Sequence, residues 1–120
     1  MTIENENRLL ITPQTRELIE KFMPDGGTLG TLAEYFFALS DSTRLKILSA
    51  LSISPMCVGD ISTTLGINQT TVSHQLRTLR LAGIVRCRRQ GKIGFYRIAD
   101  KNVLDVMLSA THGILATRAS

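Results

Sequence analysis

Apolar residues recur at helical spacing along most of the chain and give way to short β-prone runs only once. Thr12 is placed to cap a first helix that has Pro13 at its first position, runs to about Met23, and is stopped by Pro24, Asp25, Gly26 and Gly27. Thr28 opens a second, in which Leu29, Leu32, Ala33, Phe36, Phe37 and Leu39 form a broad apolar face ending near Ser40. Asp41 caps a third, whose Leu45, Ile47, Leu48 and Leu51 complete a core. Two shorter amphipathic helices follow around a tight turn, Val58 to Leu65 and Gln69 to Leu81, with Gly66 as the stop between them and Asn68 as the cap of the second. Ile84 to Gln90 and Ile93 to Ile98 are the β-prone runs, and their junction at Gly91 and Lys92 is a hairpin signal. A last helix runs from Lys101 to about Ala116. The fold expected is mainly α with one small β-hairpin.

The polar positions say more than the apolar ones. In Gln69 to Leu81, Val72, Leu76, Leu79 and Leu81 are expected to pack inward, leaving Gln69, Thr70, Thr71, Ser73, His74 and Arg77 outside. That outer face is short, polar and hydrogen-bonding, which suits a helix laid into a DNA major groove; a helix kept merely soluble more typically carries Glu and Lys. His74 is expected to bond a phosphate or a base edge, and its neighbour Gln75 to lie toward the interior. In the hairpin, Val85, Ile93, Phe95, Tyr96 and Ile98 supply bulk to fasten the base to the core, while Arg88, Arg89 and Lys92 make the tip basic. Helix-turn-helix followed by a basic hairpin is the pattern of a winged helix.

Charge is placed rather than spread. Ile61 to Ala99 contains no Asp or Glu but seven basic residues, Arg77, Arg80, Arg86, Arg88, Arg89, Lys92 and Arg97, half of the chain's 14. Met1 to Asp60 carries five basic against eight acidic residues, and Asp100 to Ser120 two against two. A one-signed stripe in an otherwise neutral or acidic chain is the electrostatic footprint of a surface that meets a polyanion. A protein-binding wing rarely needs so many uncompensated cations, which weighs against a winged-helix protein-interaction module.

At 120 residues, with no Pro/Gly/Ser-rich linker, the chain reads as one domain, residues 13–117, preceded by a flexible arm, residues 1–12. No segment reaches the roughly 18 apolar residues that span a bilayer, and MTIENENRLLIT is polar where a signal peptide would be apolar, so a cytoplasmic protein is expected. Enzymatic chemistry lacks material: there are two His, two Cys in no activated arrangement, and no Gly-rich phosphate loop. The last helix has more apolar surface than a small core can use: Val103, Val106, Met107, Ala110 and Ile114 form one stripe, Leu104, Leu108 and Leu115 another. The second burial is most simply a partner subunit, giving a homodimer through the N- and C-terminal helices. Two recognition helices would then sit about one DNA turn, ~34 Å, apart on an inverted-repeat operator in double-stranded DNA.

FFALSDSTRLKILSAL, MCVGDI, TTVSHQLRTLRLAGIV and RQGKIGFYRI resemble successive signature segments of the ArsR/SmtB family of bacterial repressors, over about Leu32 to His112. The resemblance implies a homodimeric winged-helix repressor of a detoxification, efflux or stress operon, released by a metal, metalloid or thiol-reactive inducer.

It also implies two metal-site locations. Cys57 and Asp60 match two ligands of one site, whose other ligands the family draws from the N-terminal arm. Residues 1–56 hold no other Cys and no His, leaving Glu4, Glu6 and Glu17 as weak substitutes, and the second Cys of arsenic-sensing relatives is Gly59 here. Asp100 matches the first ligand of the other site, but its His partner is Asn102, the second His falls on Gly113 and the last ligand on Ala116. His112 is one residue early, a turn of about 100° around the helix. A metal ion is therefore a doubtful cofactor, and His112 is expected to be an ordinary surface or interface residue. Thiol chemistry is the other sensing route, with Cys57 and Cys87 expected to be free thiols. Arg86 and Arg88 flank Cys87, and nearby cations lower a thiol's pKa and raise its reactivity. A regulator with no metal site, thiol- or persulfide-responsive or ligand-independent, stands as the alternative.

Overall fold

The structure, a computed structural model, describes residues 10–119. Its elements are α1 (Pro13–Phe22), α2 (Gly26–Leu39), α3 (Ser42–Leu51), α4 (Val58–Leu65), α5 (Gln69–Leu81), β1 (Val85–Gln90), β2 (Ile93–Ile98) and α6 (Lys101–Ala119). Most of the arm expected over residues 1–12 lies outside the described residues; Leu10 and Ile11 form an exposed bend. The chain's contacts divide after Leu32, so that α1 and the first two turns of α2 belong to one unit and everything from Ala33 to the other.

In the first unit Thr12 caps α1 as expected, its hydroxyl accepting from the Thr15 N–H at 3.1 Å ahead of Pro13. The start of α2 differs from the expectation. Asp25, read as part of the stop, is the cap: its carboxylate accepts from the Thr28 N–H at 2.8 Å and from the Thr28 hydroxyl at 2.9 Å. These donors hold the Asp25 carboxyl below its usual range. Helix therefore begins at Gly26, two residues before Thr28, because a charged cap offsets the poor helix propensity of two glycines.

The second unit contains the core. Ile47, Leu48 and Leu51 of α3, Ile61 of α4, and Val72, Leu76 and Leu79 of α5 meet Ala38, Leu39, Ile84, Val85 and Val103 in one buried cluster. Leu81, expected inward, is 78% exposed; at about 100° per residue it stands roughly 180° around α5 from Val72, on the face opposite the buried stripe. Asp41 caps α3 by accepting from the Arg44 N–H at 3.0 Å. α4 ends on Gly66 in the left-handed conformation, φ 65° and ψ 36°, which lets the chain reverse into Asn68 and α5 within three residues. The Asn68 side chain accepts from the Thr70 N–H at 2.7 Å.

β1 and β2 pair antiparallel with Val85 opposite Ile98, Cys87 opposite Tyr96 and Gln90 opposite Ile93. Gly91 takes φ 63° while Lys92 does not take positive φ, the requirement of a type II′ hairpin turn. The hairpin is fastened to the core on its second edge too, since Met56 and Tyr96 exchange backbone hydrogen bonds of 3.1 and 2.8 Å. Val85 is buried and Tyr96 and Ile98 pack on the core, but Ile93 is exposed at the tip, where no core reaches it. α6 continues three residues beyond the expected end, to Ala119.

Two substitutions test this architecture by chemical denaturation. Leu76→Ala, at a side chain with no exposed surface, is expected to cost about 2–5 kcal/mol. Gly66→Ala is expected to cost about 1–2 kcal/mol through backbone conformation alone, since an added Cβ meets nothing within 4 Å.

Candidate nucleic-acid interface

The outer face of α5 is built by subtraction. Val72, Leu76 and Leu79 take the inner stripe, and Gln69, Thr70, Thr71, Ser73, His74 and Arg77 are all exposed. Thr70, His74 and Arg77 lie most nearly opposite the buried stripe at 3.6 residues per turn, with Thr71 and Ser73 on its two flanks. None of them is an acid, and no acid follows until Asp100.

Gln75 lies on the flank of α5, half-buried, and shows why the helix is held in one orientation. Its side-chain oxygen accepts from Arg44 Nη1 at 2.8 Å, and its Nε2 donates to Asp41 at 3.4 Å. Arg44 in turn donates from Nε to the Ala38 carbonyl at 2.6 Å and from Nη2 to the Phe37 carbonyl at 3.1 Å. One guanidinium therefore joins the C-terminal carbonyls of α2, the N-terminus of α3 and the recognition face's neighbour on α5. The inward position of Gln75 was expected; Arg44 was not singled out, because nothing in the local pattern around it points to a residue 31 positions away.

The hairpin's basic residues divide between two faces. Opposite residues in an antiparallel pair share a face, and faces alternate along each strand. Cys87, Arg89, Gly94 and Tyr96 thus lie on the face that packs toward the core and α5, with Arg86, Arg88, Gln90, Phe95 and Arg97 on the other. Arg88 and Arg89, adjacent in sequence at the tip, point to opposite sides, and Lys92 sits exposed in the turn between them.

Cys87 is closely packed. An added Cβ on Gly94, opposite Arg89, would lie 2.8 Å from its Sγ, so a larger residue there would force the thiol to shift. Its thiol also lies beside the Tyr96 phenol. Burial first, and then Cys87, push the Tyr96 pKa up, with Arg80 and Arg89 pulling partly the other way. Cys57 and Cys87 are both free. Because Met56 and Cys87 pair with Tyr96 from its two edges, β2 runs between them. Two strand spacings, about 9–10 Å, thus separate Met56, the residue before Cys57, from Cys87.

The candidate metal ligands are dispersed. Cys57 stands at the start of α4 without a side-chain capping bond, and Asp60 is exposed in the first turn. Asp100 uses a carboxylate oxygen to accept from the Asn102 N–H at 2.9 Å, as a cap of α6, and His112 is exposed far along that helix. Among the described residues of one chain, no three His, Cys, Asp or Glu side chains are grouped to hold a metal ion.

Helix-turn-helix, basic hairpin and flanking helices in this order define the winged helix-turn-helix class. Within it, the profile described as "Bacterial regulatory protein, arsR family" matches residues 41–86. A Synechocystis protein named as a transcriptional repressor SmtB homolog is 40% identical over 75 residues, covering 62% of this chain and 57% of that protein. A Staphylococcus aureus protein named as a cadmium resistance transcriptional regulatory protein CadC homolog is 38% identical over 80 residues, 66% of each. The chain thus spans less than two thirds of these relatives' length. The solution structure of Mb0332 from Mycobacterium bovis, described as a homodimeric winged helix-turn-helix DNA-binding domain and "a possible ArsR-family transcriptional regulator", superposes with a TM-score of 0.66. It is 32% identical, covering 82% of this chain and 92% of that one. The chain belongs to the ArsR family of bacterial regulatory proteins.

Both tyrosines of the chain are held neutral above their usual range, Tyr35 by burial and the Asp100 carboxylate, Tyr96 by burial and Cys87. The folded pKa values being raised, the stability they contribute is full below about pH 10 and is lost as pH rises through the folded values. Phenolate absorbance near 295 nm should therefore appear at higher pH in the folded protein than in guanidinium; coincident titrations would contradict the burial of both rings.

Proposed function

We propose that this chain is a sequence-specific DNA-binding transcriptional repressor that acts as a homodimer on an inverted-repeat operator in double-stranded DNA. The observation that carries the reading is the acid-free surface formed by the outer face of α5 and the hairpin. Gln69, Thr70, Thr71, Ser73, His74 and Arg77 enter the major groove, where short polar side chains reach base edges and Arg77 reads guanine or phosphate. Arg88, Arg89 and Lys92 hold flanking phosphates. The Mycobacterium bovis domain, described as DNA-binding and homodimeric, supports both halves of this reading.

Exposed apolar surface supports the dimer. α1 leaves Leu18, Ile19 and Phe22 exposed, and α6 leaves Val106, Leu108, Ile114 and Leu115 exposed, on the N- and C-terminal helices expected to carry the interface. No helix among the described residues is long and apolar enough to cross a membrane, so these faces are not spans.

The regulated operon is one for detoxification, efflux or stress, in keeping with the cadmium-resistance name of the staphylococcal relative. Release acts through a thiol-reactive inducer at Cys87, a free thiol whose sulfur lies against Gly94 of the paired strand. A bulkier sulfur there has no room beside Gly94, and relief of the clash would move the hairpin from the phosphates. An inducer acts in this way only if it favours the free dimer over the DNA-bound one.

Fluorescence anisotropy of the reduced, metal-free protein on its own upstream promoter tests the core of this reading. Ser73→Ala or His74→Ala should weaken operator binding more than random-DNA binding, by about 1–3 kcal/mol for a lost base contact. Arg89→Ala should weaken both equally and lower the salt slope by about 0.9 per protomer. Equal losses on both DNAs for Ser73→Ala and His74→Ala would remove α5 from base readout.

A further inference from the structure

The side chains that face a groove and the side chains that aim them are different residues of α5 and its neighbours. Gln75 stands on the flank of α5, half-buried, next to His74 and one turn from Thr71 and Thr78. Both ends of its amide are engaged within the chain, the oxygen with Arg44 Nη1 at 2.8 Å and the nitrogen with Asp41 at 3.4 Å. Arg44 is engaged as fully. Its Nε and Nη2 donate to the Ala38 and Phe37 carbonyls, and its guanidinium stands 6.0 Å from the centre of the Phe37 ring. Asp41 closes the ring, accepting from Gln75 on the same carboxylate oxygen that caps α3 through the Arg44 N–H. Among the described residues, the side-chain hydrogen bonds that join α5 to another helix are those of Gln75.

Apolar contacts and hydrogen bonds constrain a helix differently. Val72, Leu76 and Leu79 fix which face of α5 is inward, but hydrophobic contacts are non-directional and yield to small rocking. Rocking by about 10° with its pivot at Gln75 displaces Thr70, ~7.5 Å away along the axis, by ~1.3 Å. A base contact does not survive that displacement, because a hydrogen bond of about 3 Å weakens steeply with length and angle. A phosphate contact does survive, since a long, flexible cationic side chain can follow the phosphate. The tilt of α5 therefore bears on which sequence is bound far more than on whether DNA is bound.

We propose that Arg44 and Gln75 are positioning residues for base readout: they touch no DNA, and by fixing the tilt of α5 they set how strongly the operator is preferred over other sequences. The proposal rests on the DNA-binding reading above and names residues that determine its specificity.

The test is fluorescence anisotropy of the full chain on its operator, on random duplex, and on operators each changed at one base pair, for Gln75→Met, Arg44→Met and the double variant. Gln75→Met keeps the stem and removes both bonds. It should lose about tenfold in operator affinity, with random-DNA affinity and the salt slope as in wild type. Because no single contact is removed, the penalty for a wrong base should shrink at every position that α5 reads, whereas Ser73→Ala should remove it at one. The double variant should discriminate as Arg44→Met does alone, since both changes break the same ring. Arg44→Lys keeps the charge but not the fork that reaches the Ala38, Phe37 and Gln75 acceptors, and should discriminate as poorly as Arg44→Met. Thermal melting checks that each variant is folded, and Gln75→Met decides alone where Arg44→Met does not fold.

A lower salt slope in Arg44→Met would make Arg44 a phosphate contact, and a penalty lost at one base pair only in Gln75→Met would make Gln75 a base contact; either result overturns the proposal. Equal losses on operator and random DNA, which mark a purely structural role, overturn it too, as does full discrimination in Arg44→Lys. Failure of wild type to distinguish operator from random DNA would instead remove the repressor reading on which the proposal stands.

Discussion

Burial of one stripe of α5 governs the rest of the second unit. Val72, Leu76 and Leu79 have no exposed surface, and they sit among residues of α3, α4, β1 and the α6 start that are equally enclosed. A helix rotated by one residue would turn about 100° and trade these for Thr71, Gln75 and Thr78. The loss of three fully buried aliphatic side chains, each worth about 1.5–3 kcal/mol, forbids that rotation. The polar face is therefore aimed outward by the apolar one, and no contact with a ligand is needed to present it. Gln75 refines what the stripe fixes: through Arg44 it is tied to the last carbonyls of α2, which limits tilt as the apolar contacts limit rotation.

The same economy explains the charge distribution. An acid-free surface repels itself, and a small domain tolerates that repulsion only where the backbone beneath is over-determined. The hairpin meets this condition because β2 has neighbours on both edges, β1 along its length and Met56 at Tyr96. A free two-stranded ribbon is marginal in water. Met56 immediately precedes α4, so the attachment that steadies the basic wing is made by the residue that leads into the helix-turn-helix.

Much of this was legible in the sequence because it depends on local rules. Asn68, Asp41, Thr12 and Gly66 stand where their side chains or left-handed backbone are required, and each marks a boundary that the structure reproduces. The hairpin register followed from a two-residue turn at Gly91 and Lys92. Departures occur where a second choice was locally available. Asp25 and Thr28 are both good caps, and the carboxylate, able to accept two bonds from Thr28, takes the position. Leu81 is apolar like the inner stripe but stands about 180° around the helix from Val72, so it faces outward. Non-local facts were not legible at all: the pairing of Arg44 with Gln75 and the bridge of Met56 to Tyr96 both require the strands and helices to be assembled.

What remains exposed in the second unit bears on how such a surface is controlled. Phe36, Leu39, Leu45, Val106, Met107, Ala110 and Ile114 line an apolar groove of about 480 Å³ between the C-terminal half of α2, α3 and α6. Phe37, the last turn's other aromatic, is 70% exposed while its carbonyl accepts from Arg44. The α2 residues that contribute to the groove and those that fix the recognition helix are thus neighbours on one helical turn. Anything that settles into the groove and shifts that turn must also move the carbonyls to which Arg44 is bonded, and with them Gln75. The groove and the hydrogen bonds that hold the outer face of α5 therefore share one turn of α2.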